Sequence, residues 1–421
     1  MRPCPPAAET DVQAGLAHVA TSSFLASRVV PTAGYAVALA GGVALARAAQ
    51  LAGMRMGYGA SLAAMLQSIA VLGPSRISVP LTQALSAPLL GRLHAHDAHL
   101  AAQIGACAAI RATDQALFTL FYIWIVGGFE AYAATYDVLA GQIPWVPDGT
   151  SAALIATALV LIAWTAFASI VQVLTYRAAL RAWPPEVSEA SGSEPAPVAA
   201  AHTDGGPIEP QPRPRYDPRA VAAGAVVAFG ALLATTQWLV LSAVSAWLVV
   251  AWATARADAS PVRAGLALAV LLGGGVLAFG LIGGLDPELT LRRTLRAVLL
   301  VLVATWLRAA AGEAGVREIV RRSLRRLRRI PAMAEAARVL DRLGAGGALG
   351  ASGRALVARV HGVRRRPSAL ARAVLRWVAS EADGFQPPPV QAPPALRATW
   401  RDGALVAGVI VLVAAAVLST G

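Results

Sequence analysis

Residues 151–176 read SAALIATALVLIAWTAFASIVQVLTY and contain no acidic or basic side chain. An α-helix rises 1.5 Å per residue, so about 20 apolar residues in a row cross ~30 Å of hydrocarbon. The stretch shows no alternation of polarity, whereas the strands of a transmembrane barrel alternate apolar and polar positions. A helix apolar on every side needs lipid or other helices around it, and its backbone is satisfied internally. This one segment therefore predicts a helical membrane protein.

Stretches of the same kind lie on both sides of it, at about 33–53, 57–73, 98–128, 220–236, 238–254, 264–284, 294–311 and 403–420. Across the 421 residues, 57% are hydrophobic and 14% charged, with a mean hydropathy of +0.59, a balance foreign to soluble domains. The expected fold class is all-α: a polytopic integral membrane bundle of about nine transmembrane helices, with basic amphipathic helices in the cytoplasm.

The arginines set an orientation. Arg177 and Arg181 follow the 151–176 stretch, whereas the 130–150 loop carries Glu130, Asp137 and Asp148 and no basic residue. Basic residues gather on the cytoplasmic side, so the N-terminus is expected inside, residues 312–402 inside and the C-terminus outside a cell membrane. Arg292, Arg293 and Arg296 run against this rule, because it places them near the outer face. The first fifteen residues have acids and prolines and no apolar core, so no cleaved leader is expected. Cys4 and Cys107 have no spacing that points to a disulfide or a thiolate metal site.

The expected organisation is a cytoplasmic tail over 1–32, an N-terminal bundle of about four spans over 33–183, a linker over 184–218, and a second bundle of about four over 219–311. An arginine-rich cytoplasmic region over 312–402 and a C-terminal anchor over 403–421 complete it. The linker holds nine prolines among small and charged residues, a composition that buries too little surface to order itself.

Residues 312–402 contain 18 Arg against 7 acids and so supply +11 of the chain's net +13. Val316, Ile319, Val320, Leu324, Leu327 and Ile330 recur at helical spacing with arginines between them, the pattern of a basic amphipathic helix. Pro331 interrupts that helix, and further helices are expected near 352–363 and 367–381. Arg325, Arg326, Arg329, Arg338 and Arg359 are the candidate docking residues. Three partners suit them: anionic lipid headgroups, a cytoplasmic protein whose groove takes the apolar stripe, or nucleic acid. Nucleic acid is unlikely, since no recognised fold or aromatic platform accompanies the charge.

The stretch LTLRRTLRAVLLVLVATWLRAAAG (289–312), the RRSLRRLRRIPAMAEAARVLDRL that follows from 321, and a second arginine-rich helical segment resemble the transmembrane T component of energy-coupling factor transporters. The resemblance covers about residues 220–380. It implies two long cytoplasmic helices that each present an Ala-Arg-Gly motif to an ATPase. The nearest counterparts are Ala337-Arg338-Val339 and Ala358-Arg359-Val360, in which valine replaces the glycine.

In the membrane half, GPSRISVPLTQALSAPLLG (73–91) holds Pro74, Pro80 and Pro88, so a broken or re-entrant helix is expected, with Arg76 and Gln83 as candidate contacts for an ion or anion. A kinked, packed helix is the alternative. Arg111 and Asp114 stand at i, i+3 on one helix face and are expected to pair or to line a wet cavity. Arg47 is a further intramembrane charge near one end of its span. His94, His96, Asp97 and His99 fall within six residues, a candidate site for a metal ion such as Zn²⁺, or else a polar loop that caps the next helix. No other cofactor is indicated, and no nucleophile elbow, phosphate loop or HExxH helix is present. The expected function is a non-catalytic, membrane-embedded component of a transport system whose arginine-rich helices dock an ATPase. A structural scaffold comes second and a lipid-active membrane enzyme third.

Overall fold

The computed structural model describes residues 7–28, 34–73, 78–183, 215–255, 259–344, 346–362, 367–388, 396 and 398–419. Among these residues 87% are helical, in fourteen α-helices and one π-helical turn, and none is in a strand. In chain order the helices are α1 (Ala7–Ala26), α2 (Gly34–Leu72), α3 (Ser78–Ala95), α4 (Leu100–Leu120), α5 (Phe129–Ala140), α6 (Thr150–Ala182), α7 (Pro218–Ala234) and α8 (Trp238–Thr254). They continue with α9 (Ala259–Ile282), α10 (Pro287–Arg326), α11 (Pro331–Arg342), α12 (Gly346–His361), α13 (Pro367–Asp383) and α14 (Trp400–Leu418). A π-helical turn, Phe121–Gly127, prolongs α4.

Every apolar stretch of the sequence becomes a helix, but the lengths differ from a uniform set of nine spans. Five helices are long and apolar enough to cross a membrane (α2, α6, α9, α10 and α14), and α4 with α5 makes a sixth if that pair, bent by 99°, counts as one. α7 and α8 have 17 residues each and fall short of that length. Several long apolar helices are compatible with a multi-pass membrane protein. The outer surface of α6 is compatible with this too: Ile155, Leu159, Val160, Ile162 and Phe167 are each at least 60% exposed, an apolar belt of the kind that meets lipid or a partner.

Two long helices are broken by glycine. α2 turns at Gly53 (φ 80°) and α10 at Gly312 (φ 67°), backbone conformations in which a side chain is strained. The arms of α2 fold back on each other, so a Cβ on Gly57 would strike Ala49.

Two cores result. One joins α1, α2, α3, the last turns of α6, and α11 to α13; the other joins α7, α8, α10 and α14. The first core corrects the expected tail over 1–32. Residues 7–26 form a helix in which Leu16, Ala17, Val19, Ala20 and Phe24 are buried against α2. Its polar residues disguised it: the Thr21 hydroxyl donates to Ala17 O and Gln13 Nε2 to Ala48 O, which offsets part of the cost of burying them.

The same core changes the picture of residues 312–402. The stripe on α11 (Ala336, Val339, Leu340 and the following Leu343) is buried against α1 and α2, so this chain occupies its own amphipathic face. Glu335 is 1% exposed between Arg55 of α2 and Arg338. Arg317 Nη2 donates to the carbonyls of Leu340 and Leu343 at the C-terminal end of α11, satisfying groups that a helix end leaves open.

Candidate functional site

Four helices bring polar side chains to one point inside the N-terminal half. Arg111 of α4 is 3% exposed, and its Nη2 donates to Gln172 Oε1 of α6 and to the Tyr35 hydroxyl of α2 (3.3 Å). Gln172 Nε2 donates to Ser86 Oγ of α3 (2.7 Å), and Ser86 Oγ donates to Thr82 O (2.7 Å). The Tyr176 hydroxyl, one turn beyond Gln172, donates to Gln83 Oε1. Small residues make room for this: Gly42 of α2 lies directly beneath the Tyr176 hydroxyl, where any Cβ would collide with it.

The arrangement joins Gln83, Arg111 and Asp114 of the expected set, but with different partners. Asp114 accepts from Thr82 Oγ1 of α3 and forms no ion pair with Arg111 among the described residues. Arg111 reaches inward between α2 and α6, while Asp114, partly buried, is held by α3. The guanidinium therefore has only neutral described partners, and its Nε has none. The hydroxyls of Thr165 and Ser169 on the facing side of α6 are also buried without a partner. A buried guanidinium whose hydrogen-bond partners are all neutral is costly to hold.

Tyr35, Thr82, Ser86, Gln172 and Tyr176 escaped the sequence reading. Gln172 did carry a signal, as the single amide in the 151–176 stretch.

The remaining candidates lie elsewhere. Arg47, 3% exposed, bonds Gln50 and lies over the Trp183 ring (5.4 Å), away from Arg111's partners. Arg76 lies outside the described residues. The break expected in 73–91 falls after Gly73 (φ 89°), and α3 then runs through Pro88 as one helix.

Among the described residues no three His, Cys, Asp or Glu side chains converge to hold a metal ion. His99 is the N-cap of α4, with Nδ1 accepting from Ala101 N, and His96 and Asp97 stand exposed in the preceding turn. Burial, then Arg177 and Arg181, push the His94 imidazole below its ordinary value, which keeps it neutral.

Of the docking candidates, Arg338 is tied to Glu335 (3.0 Å) and Arg325 faces Asp341 (3.5 Å). Arg326, Arg329 and Arg359 are exposed. Val339 and Val360, at the glycine positions of the T-component motif, are both buried. Leu327 and Ile330 are exposed beside Arg326, Arg328 and Arg329, which makes the turn between α10 and α11 a basic and apolar tip. No family model, curated protein or solved structure matches this chain.

Proposed function

We propose that this protein is a non-catalytic, membrane-embedded component of a transport system in a cell membrane. In this reading the Arg111 centre receives an anionic group and the tip at 325–330 receives a cytoplasmic partner such as an ATPase. The N-terminus and the tip lie inside and the C-terminus outside. The observation that supports it best is Arg111: a guanidinium 3% exposed and bonded only to neutral groups, the Gln172 amide and the Tyr35 hydroxyl. A charge held this way lowers stability, and side chains that do so are kept for function.

Thermal unfolding in detergent tests this. Arg111→Met removes the buried charge at the cost of a donor to two acceptors, Gln172 Oε1 and the Tyr35 hydroxyl, and the variant is expected to melt no lower than the native chain. A fall of more than about 4 °C gives Arg111 a structural role instead. The scaffold reading comes second, favoured by Leu327 and Ile330, whose exposure among arginines also suits an anionic lipid surface.

A further inference from the structure

The arginines that run against the orientation rule are placed by the structure at a break in another helix. The π-helical turn Phe121–Gly127 ends at Gly128 (φ 86°), and α5 starts there in a new direction with no side chain capping its first amides. The Arg293 guanidinium lies directly against Gly128, where a Cβ would overlap it. Arg293 Nη2 meets Glu130 Oε2 at 3.2 Å, yet its Nη1 is buried without a partner.

Arg296 stands one turn further along the same face of α10. It is 7% exposed and makes no hydrogen bond or ion pair among the described residues. Its principal charged neighbour is Arg293, which repels it. Arg292, by contrast, is settled: it pairs with Glu288 and lies over Trp238 (5.8 Å).

Arg293 and the positive end of α5 thus meet a single carboxylate, Glu130, itself 68% exposed, while Arg296 stands one turn away with no carboxylate of its own among the described residues. The missing charge is negative, and the missing contacts are oxygen acceptors in a plane that suits a guanidinium fork. Helix starts flanked by arginine bind phosphate for these reasons. Trp124 and Phe129 stack at 5.0 Å across the break, and Trp124 is 59% exposed, the mark of aromatic residues at headgroup depth.

We infer that Arg293, Arg296 and the first turn of α5 bind a phosphate-class anion, carried by a lipid headgroup or free in solution. This site is separate from the Arg111 centre and stands whether or not that centre serves transport. Glu130 competes for Arg293 and sets the affinity.

The test uses the full chain in a gentle uncharged detergent, with thermal unfolding followed against inorganic phosphate, short-chain phosphatidylglycerol or short-chain diacylglycerol. The site predicts stabilisation by phosphate, by phosphatidylglycerol or by both, and none by diacylglycerol. A response to phosphatidylglycerol alone identifies the headgroup as the source, and one to phosphate alone identifies the free anion. Arg296→Gln is expected to weaken the response roughly tenfold, the worth of one charged hydrogen-bonded contact. Glu130→Gln alters an exposed residue and so preserves the fold; it is expected to tighten binding. Arg263→Gln, on the exposed face of α9, is expected to change nothing. No response to either phosphate compound, an equal response to diacylglycerol, or a response that neither Arg296→Gln nor Glu130→Gln alters would overturn the inference.

Discussion

Glu335 shows how single residues tie the arginine-rich helices to the N-terminal apolar ones. Its carboxylate is 1% exposed and joins Arg55 of α2 to Arg338 of α11. Glu335→Gln keeps the shape but removes the charge, and it is expected to cost about 2 kcal/mol, reduced from a fully buried pair because both arginines reach solvent. Chemical denaturation of the detergent-solubilised protein would measure it, and an unchanged midpoint would show that the contact contributes nothing.

Asp217 carries a pH dependence of known sign. The Arg219 guanidinium holds its carboxyl below the usual carboxylate value, against an opposing effect of burial. Its contribution to stability is therefore present above the ordinary carboxylate range and is lost as pH falls through the depressed folded value. Asp217→Asn is expected to flatten that part of the stability profile, and an identical acid limb in both proteins would refute it. At this scale the sequence was legible for charges and much less so for their partners. Arg111 and Asp114 stood out because ionised groups are rare in apolar stretches. Tyr35 and Ser86 did not, since a hydroxyl in a helix is ordinary until a partner from another helix is known.

Helices were the most legible elements, and their breaks the least. Apolar length placed α6, α8 and α14 within a few residues at most ends, whereas α1 was hidden by Thr21, Ser22 and Ser23, which are polar and fully buried. Its burial comes from α2 and from α11 to α13, elements whose packing on it lies beyond the reach of local periodicity.

Glycines separate two kinds of cost at this scale. Gly53 has open space around its missing Cβ, so Gly53→Ala is expected to cost only the strain of a backbone region that is essentially glycine's own (φ 80°, ψ 177°), about 2 kcal/mol. Gly91 of α3 lies against Ala46 O of α2, and Gly91→Ala must push two helices apart, at about 3 kcal/mol. A ranking of the two variants by melting temperature checks this, and Gly53→Ala melting below Gly91→Ala would contradict it. The last helix is fastened by Asp402, whose Oδ1 accepts Asp217 N (2.7 Å) and whose Oδ2 accepts Thr399 N (2.6 Å). α14 thus packs on α7 and α8 through a capping box as well as through Leu405 and Val409.

Across the whole molecule, the division expected between a membrane part and an appended basic part does not hold. α11, α12 and α13 share a core with α1 and α2, so deleting residues 316–381 is expected to unfold the N-terminal half rather than to release a separable platform. Protease sensitivity of α1 and α2 in the truncated chain would reveal this, and a truncated chain as resistant as the native one would contradict it. Composition pointed to the membrane class because helices apolar on every side and this long are satisfied by lipid or by other helices around them. It could not announce how the basic helices dock, since their amphipathic pattern fits a partner's groove and the chain's own core equally well.

The tip between α10 and α11 remains free for a partner, and the docking part of the proposed role stands on it. The most direct measurement is co-purification in gentle detergent followed by mass spectrometry, comparing the native chain with a variant carrying Arg326→Gln, Arg328→Gln and Arg329→Gln. These three side chains are exposed and form no ion pair among the described residues, so the variant is expected to fold. The account predicts an ATPase that accompanies the native chain and is lost from the variant; no ATPase with either chain, or the same amount with both, would contradict it.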